Sequence, residues 1–286
     1  MKKAFYSILL IILSTLSGIA QDPDNNGNAL NFPFRKYGIS IGNSYEFNGL
    51  RINYNNKNVR ELNGVNITGI GGTSNLDAKM TGINICLFQI VGEMQFINLG
   101  IGGMLTGRMN GISIGGLLVG AGEINGLSAS GLLNMMEGGD MNGAILSGLF
   151  IMGEGDSSHM NGFSLSGLFT GTDGEINGIA ISPAVYSASK INGLAVGPAV
   201  VWSDSTLSGL AVSVGYVKAD KLNGVSVSGF SNTRIFNGIS IGVFNKTKEL
   251  QGLQLGLLNY AGNNPKLLRT LPLINIHLGK SGQKSF

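Results

Sequence analysis

The chain is poor in nearly everything that catalysis, metal binding or nucleic-acid binding draws on. Charged residues make up only 12% of its 286 residues, against about 25% in an ordinary globular domain. Its one cysteine, Cys86, excludes an internal disulfide, so the fold holds without one. That thiol falls at a small-residue position and reads as a buried structural group. Two histidines, His159 and His277, leave little for a metal site or a catalytic triad. Six prolines are too few for a collagen-like or proline-rich chain, and one tryptophan, Trp202, is thin for a pair of membrane-interface aromatic girdles. The net charge of +3 falls to +1 once Lys2 and Lys3 are set aside, and no basic patch points to nucleic acid.

What is present begins with an export signal. Lys2 and Lys3 form a positive start, Ala4 to Leu13 is a short apolar stretch, and Gly18, Ile19 and Ala20 offer small residues for cleavage. This predicts a signal peptide over residues 1–20 and a mature chain starting at Gln21. The apolar run is too short for a membrane helix. No cysteine stands at the cleavage point to carry a lipid.

The remainder is dominated by 46 glycines and by self-similarity. The repeating unit reads apolar, Asn, Gly, apolar, any, apolar, small. Ile191-Asn192-Gly193-Leu194-Ala195-Val196-Gly197 and Phe236-Asn237-Gly238-Ile239-Ser240-Ile241-Gly242 are clear copies. With the glycine as origin, fourteen copies start at Gly49, Gly64, Gly82, Asn98, Gly111, Gly126, Gly143, Gly162, Gly178, Gly193, Gly209, Gly224, Gly238 and Gly252. Their spacing averages about 15.6 residues. The position two before the origin, and those one and three after it, are apolar in every copy. The position between the last two holds mostly Ser, Asn or Ala. Charges such as Glu123, Asp140, Asp173, Lys190, Asp220 and Lys248 gather between copies.

Apolar-any-apolar alternation predicts half-buried strands with the aliphatic pair facing inward. The apolar register steps by three across Asn-Gly, and again before Leu132, Leu149 and Leu168. Odd steps predict corners after which the next apolar residue points inward once more. Asn-Gly tolerates positive φ, and Pro183 and Pro198 suit a turn better than a strand centre. Two all-β architectures bury such units. In a parallel β-solenoid with 15–16-residue coils, each copy stacks on the one before. In an antiparallel outer-membrane β-barrel, each copy is a strand and the next returns. Every copy looks equivalent, and long and short intervals do not alternate, so a single solenoid array over residues 38–278 is the expectation and the barrel its alternative. Residues 21–37, with Pro23 and Pro33, are expected to cap the array, and 279–286 to form a disordered tail.

No motif carries chemistry. Gly-x-Ser-x-Gly occurs around Ser40, Ser113 and Ser240, but three nucleophiles without a histidine partner are a by-product of the repeat. Gly279-Lys280-Ser281 resembles the end of a phosphate loop, yet Ile274 stands where that loop needs glycine. His159 sits in a polar loop. Glu154 and Asp156 with Asp173 and Glu175 are turn acids, with weak calcium binding the only other reading. An ice-binding face needs a file of outward threonines, whereas the position between the aliphatics, read as outward, holds Ser, Ala and Asn. The expectation is no catalytic residue, no cofactor, no metal and a non-enzymatic role.

The last copy, Leu250-Gln251-Gly252-Leu253-Gln254-Leu255-Gly256-Leu257-Leu258-Asn259, resembles the Gly-Leu-Gln-Leu-Gly-Leu-Leu-Asn units of bacterial surface-repeat proteins from spirochaete and Bacteroidetes-type envelopes. The ending Leu271-Pro272-Leu273-Ile274-Asn275 is similar to that group as well. The resemblance is sharp from Leu250 to Asn275 and weaker over earlier copies. It implies a cell-surface or outer-membrane location, an envelope or extracellular partner and no enzymatic role, and it assigns no site residues.

Overall fold

The structure, a computed structural model, describes residues 27–34, 36–72 and 77–279. The expected signal peptide, the start of the expected cap and the tail beyond Gly279 lie outside the described residues. The chain forms two compact units that divide between Val119 and Gly120.

In the N-terminal unit, β1 (Gly27–Phe34) runs antiparallel to β2 (Tyr37–Ser44). From β2 onward the pairing is parallel, through β3 (Glu46–Asn56), β4 (Glu61–Gly72) and β5 (Lys79–Gly115). Gly38, Gly49, Gly64 and Gly82 lie one over the next in register.

The C-terminal unit follows the same plan, with short strands up to β14 and one long strand after them. Its first strands are β6 (Leu118–Ser130), β7 (Leu133–Glu137), β8 (Met141–Ser147), β9 (Phe150–Glu154) and β10 (Met160–Ser166). Then come β11 (Phe169–Thr172), β12 (Ile176–Ile181), β13 (Ala184–Ser187), β14 (Lys190–Val196), the long β15 (Val200–Ala261) and β16 (Thr270–His277). Gly126, Gly143, Gly162, Gly178, Gly193 and Gly209 stack in parallel register. A second parallel ladder runs through β7, β9, β11, β13 and β15. Strand β16 returns antiparallel, along β15. Parallel coils about 16 residues apart make this a β-solenoid. The antiparallel barrel is therefore not the arrangement: successive copies run in the same direction.

The direction in which the copies face is the reverse of the expectation. The aliphatic pair after each glycine points outward. Ile179 is 39% exposed, while Ala180 between Ile179 and Ile181 is fully buried. Ile239 and Ile241 are 42% exposed and Ser240 is buried. Leu132 and Leu168, expected inside after the second corner, are also exposed. The reason lies at the glycine. Alternation does not flip there but continues through it, so Ile176, Gly178 and Ala180 share the inward face of one bent strand, and Ser182 just beyond its end is buried too. Gly178, at φ +129°, bends the chain where a side chain would have no room: a Cβ there would lie 2.1 Å from the Gly162 carbonyl oxygen.

The apolar core is narrow. It consists of the file two before each glycine (Met160, Ile176, Ile191, Leu207) and a file on the second strand (Ile151, Val185, Val201, Val217), all at 0–1% exposure. Between them lie small and polar side chains. That file also corrects one repeat origin. Phe96, expected two before an origin at Asn98, is exposed and has φ +77°, whereas Met94 is fully buried. The corner is Phe96 itself, and Asn98 takes the inward place two beyond it.

Candidate functional site

Polar side chains inside the coils are held by hydrogen bonds that step from coil to coil. In the N-terminal unit, Asn66 donates to Asn84 at 3.0 Å, Asn84 to Asn98 at 2.8 Å, and Asn98 to Ser113 at 3.2 Å. In the C-terminal unit, Thr172 donates to the Ser158 carbonyl and Ser187 to the Gly174 carbonyl, while Ser166 and Thr170 share a bond of 2.9 Å across the corner of a single coil. Such pairing offsets the cost of burying polar groups. A second, half-exposed ladder follows the Asn-Gly corners: Asn142 to Asn125, Asn161 to Asn142, Asn177 to Asn161 and Asn192 to Asn177, at 2.7–3.0 Å.

The three Gly-x-Ser-x-Gly serines belong to the interior. Ser40 and Ser240 are fully buried and Ser113 nearly so. Ser40 bonds Ser44, Ser113 accepts from Asn98, and Ser240 donates to Asn245 at 2.6 Å. A nucleophile elbow needs an exposed Oγ, and these serines do not provide one. His159 Nδ1 lies 2.9 Å from Asp140 Oδ1, and His277 Nδ1 lies 2.7 Å from Asn264 Oδ1. Among the turn acids, Glu154, Asp156 and Asp173 are exposed, and Asp173 accepts from the Gly155 amide. Among the described residues, no group of three or more His, Cys, Asp or Glu gathers as a metal site. Cys86 is a free, buried thiol whose pKa burial raises to about 11.

What the coils present to the outside is sorted by chemistry. The outward face after each glycine is apolar, the outward face of the second strand passes from an apolar file to an amphipathic one that includes Lys218, Asn232 and Lys246, and charges line the edge between the second strand and the next copy. Ion pairs there join neighbouring coils: Glu46 with Lys36 and Arg60, Lys79 with Glu93, Lys190 with Glu175, and Asp220 with Arg234 through two 2.7 Å bonds. The hydrogen bonds from Lys36, Lys190 and Arg234 hold the carboxyls of Glu46, Glu175 and Asp220 below their ordinary range. An open hollow of about 300 Å³ lies on this edge among Asp204, Lys218, Asp220, Arg234 and Lys248.

In the C-terminal unit a strip of amphipathic side chains marks the border between the apolar surface and the charged edge. Trp202 Nε1 and Tyr186 Oη both donate to Asp204, at 2.8 and 2.9 Å. The two rings meet edge to face at 5.9 Å, and Lys218 Nζ lies 3.9 Å over Trp202. The Asp204 carboxylate raises the Tyr186 pKa. Sequence reasoning missed this strip, although its signal was present: Trp202 and Asp204 sit two apart in a strand, hence on one face, one coil beyond Tyr186.

Compared with protein-family models, curated proteins and solved structures, the chain matches none.

Proposed function

We propose that the chain is an exported, non-catalytic protein of the bacterial cell envelope, with a structural or interaction role carried by its repetitive outer surface. The observation behind this reading is the sorting of side chains in every coil. Aliphatic residues stand outside, while hydroxyls and amides are buried inside, most of them bonded there as Ser187, Ser240 and Asn245 are. A surface of that kind is made for contact along its length. It is unsuited to concentrating chemistry at one point, because each coil repeats its neighbour. The apolar, lysine-led N-terminus and the resemblance of Leu250 to Asn275 to envelope repeat proteins support export to the envelope.

Cell fractionation with N-terminal sequencing tests the proposal. The mature chain is expected in the envelope fraction, beginning at Gln21. Recovery of an uncleaved chain in the cytosol would refute it.

A further inference from the structure

We infer that the apolar outer faces of the C-terminal unit are covered by the hydrocarbon of a lipid bilayer, with the charged edge turned to water. This deepens the proposed function by naming the partner of the repetitive surface, and it rests on that reading of the surface alone, not on export.

Area is the first argument. Seventeen large hydrophobic side chains between Leu132 and Leu258 are 36–82% exposed. At about 200 Å² for a fully exposed side chain of this size, they present on the order of 1,500 Å² of apolar surface. The largest apolar patch on an ordinary monomer is about 300–600 Å², and a standard protein interface covers about 800 Å² on each partner. The sum exceeds both, but it is divided between two differently directed faces. A second copy seated on one face would leave the other in water. A fluid of hydrocarbon chains covers both.

Chemistry is the second. Protein interfaces carry about one hydrogen bond per 100–200 Å² and favour Tyr, Trp and Arg at their centres. The outward file that includes Leu165, Ile179, Leu210, Val227, Ile239 and Ile241 offers no hydrogen-bonding group and no charge. Main-chain groups at the corners are also satisfied from within: Gly167 N donates to Ser147 O, Leu168 N to Leu149 O, Ala199 N to Pro183 O, and Gly215 N to Pro198 O. A surface whose backbone is bonded internally can enter hydrocarbon.

Charge placement is the third. The edge bears both signs, paired between coils, which complements a zwitterionic headgroup layer and gives no preference for an anionic one. Between edge and faces stand Tyr186 and Trp202, each with an apolar ring and a polar tip bonded to Asp204. Side chains of this kind settle at the level where hydrocarbon gives way to headgroups.

Flotation of the purified full chain with phosphatidylcholine vesicles tests the inference, after detergent is diluted away, with a parallel set containing phosphatidylglycerol. The protein is expected to float with both vesicle types and to stay bound in high salt. Trp202 emission is expected to shift to the blue and to be quenched most by labels near the headgroups. Val214→Asp with Ile241→Asp should weaken vesicle partitioning at least tenfold while leaving the circular dichroism and melting profile unchanged. Arg234→Gln on the charged edge should not change it. Protein left at the bottom of the gradient, or pelleting without lipid, overturns the inference. A stable lipid-free dimer overturns it too and assigns the faces to a second copy. Because the assay is made in vitro, its failure leaves the cell-fractionation result standing by itself.

Discussion

The most direct test of the inverted coil compares one inward and one outward position of the same strand. Ala180 is fully buried, with Ser164 and Ala195 beside it in the neighbouring coils, and Ile179 is 39% exposed. Ala180→Leu forces three extra carbons into an interior whose coils are fixed by parallel ladders on both sides. Overpacking of that kind costs about 1–3 kcal/mol. In a unit of this size each kcal/mol lowers the midpoint by about 2–4 °C, so Tm should fall by roughly 2–12 °C. Ile179→Thr trades one methylene and a methyl for a hydroxyl at a half-open site. At about 0.8 kcal/mol per fully buried methylene, scaled for exposure, its cost should stay within about 1 kcal/mol. Thermal unfolding followed by circular dichroism, in one medium for all three proteins, measures both. The refuting result is the opposite order: a tolerated Ala180→Leu and a damaging Ile179→Thr would put the aliphatic file inside and the small residues outside.

Three further outcomes follow from other positions. Gly178→Ala places a Cβ 2.1 Å from the Gly162 carbonyl at φ +129°, so it should cost more than about 3 kcal/mol. By contrast Gly138→Ala, at φ +73° with nothing within 4 Å of the new Cβ, should cost only about 1–2 kcal/mol in urea melts. Cys86, with its pKa raised to about 11 by burial, should react with a thiol reagent at pH 8 roughly 100-fold more slowly than an unfolded thiol. Because its folded pKa lies above the unfolded one, its stabilising contribution is complete below about pH 9 and is lost as pH rises through 11. Ser226, Ser228 and Thr233 bury hydroxyls without a hydrogen-bond partner among the described residues. Ser226→Ala, Ser228→Ala and Thr233→Val should each raise stability by about 1 kcal/mol in the same melts.

The solenoid was legible in the sequence because translation is what a parallel stack writes into a chain. An Asn-Gly pair every 15 or 16 residues can satisfy an Asn ladder only if each pair lies over the last, as Asn161, Asn177 and Asn192 do. The facing of the strands was not legible. Period-2 alternation states that odd and even positions lie on opposite faces, not which face is wet. The choice rested on the rule that aliphatic residues go inside, and that rule fails in this chain, where Ile179, Ile239 and Ile241 stand outside. The file two before the glycine held the missing information. It is apolar in every copy and is an even number of residues from the serines, so Ile176 and Ala180 must share a face once the strand is continuous. The assumed flip at glycine broke that inference. The displaced origin at Asn98 arose because the corner there is Phe96, in a left-handed conformation that composition does not announce.

The polar interior has its sharpest consequence at Arg51, the one fully buried cation among the described residues of the N-terminal unit. It occupies the inward place that Ala180 holds elsewhere and is fully buried. Its Nε donates to Ser44 Oγ at 3.1 Å, Nη1 to Asn56 Oδ1 at 2.7 Å, and Nη2 to Asn43 Oδ1 at 3.4 Å, all neutral acceptors. Asn56 in turn donates to Thr68 and Gln89, so the guanidinium anchors a network across coils. Burial lowers its pKa to about 10, and at about 1.36 kcal/mol per unit, keeping it charged costs the fold about 3 kcal/mol at neutral pH. Asn56→Ala removes the shortest bond to that charge and should destabilise the unit by about 2–4 kcal/mol. Arg51→Met on the same background should recover most of the loss, because the charge that needed Asn56 is gone. The folded state holds this proton more weakly than the unfolded state. Raising pH from 9 to 11 should therefore stabilise the native chain relative to Arg51→Met by about 1 kcal/mol. A gap between the two that stays constant over that range would show that the guanidinium is solvated, and that the interior of the coil is open to water.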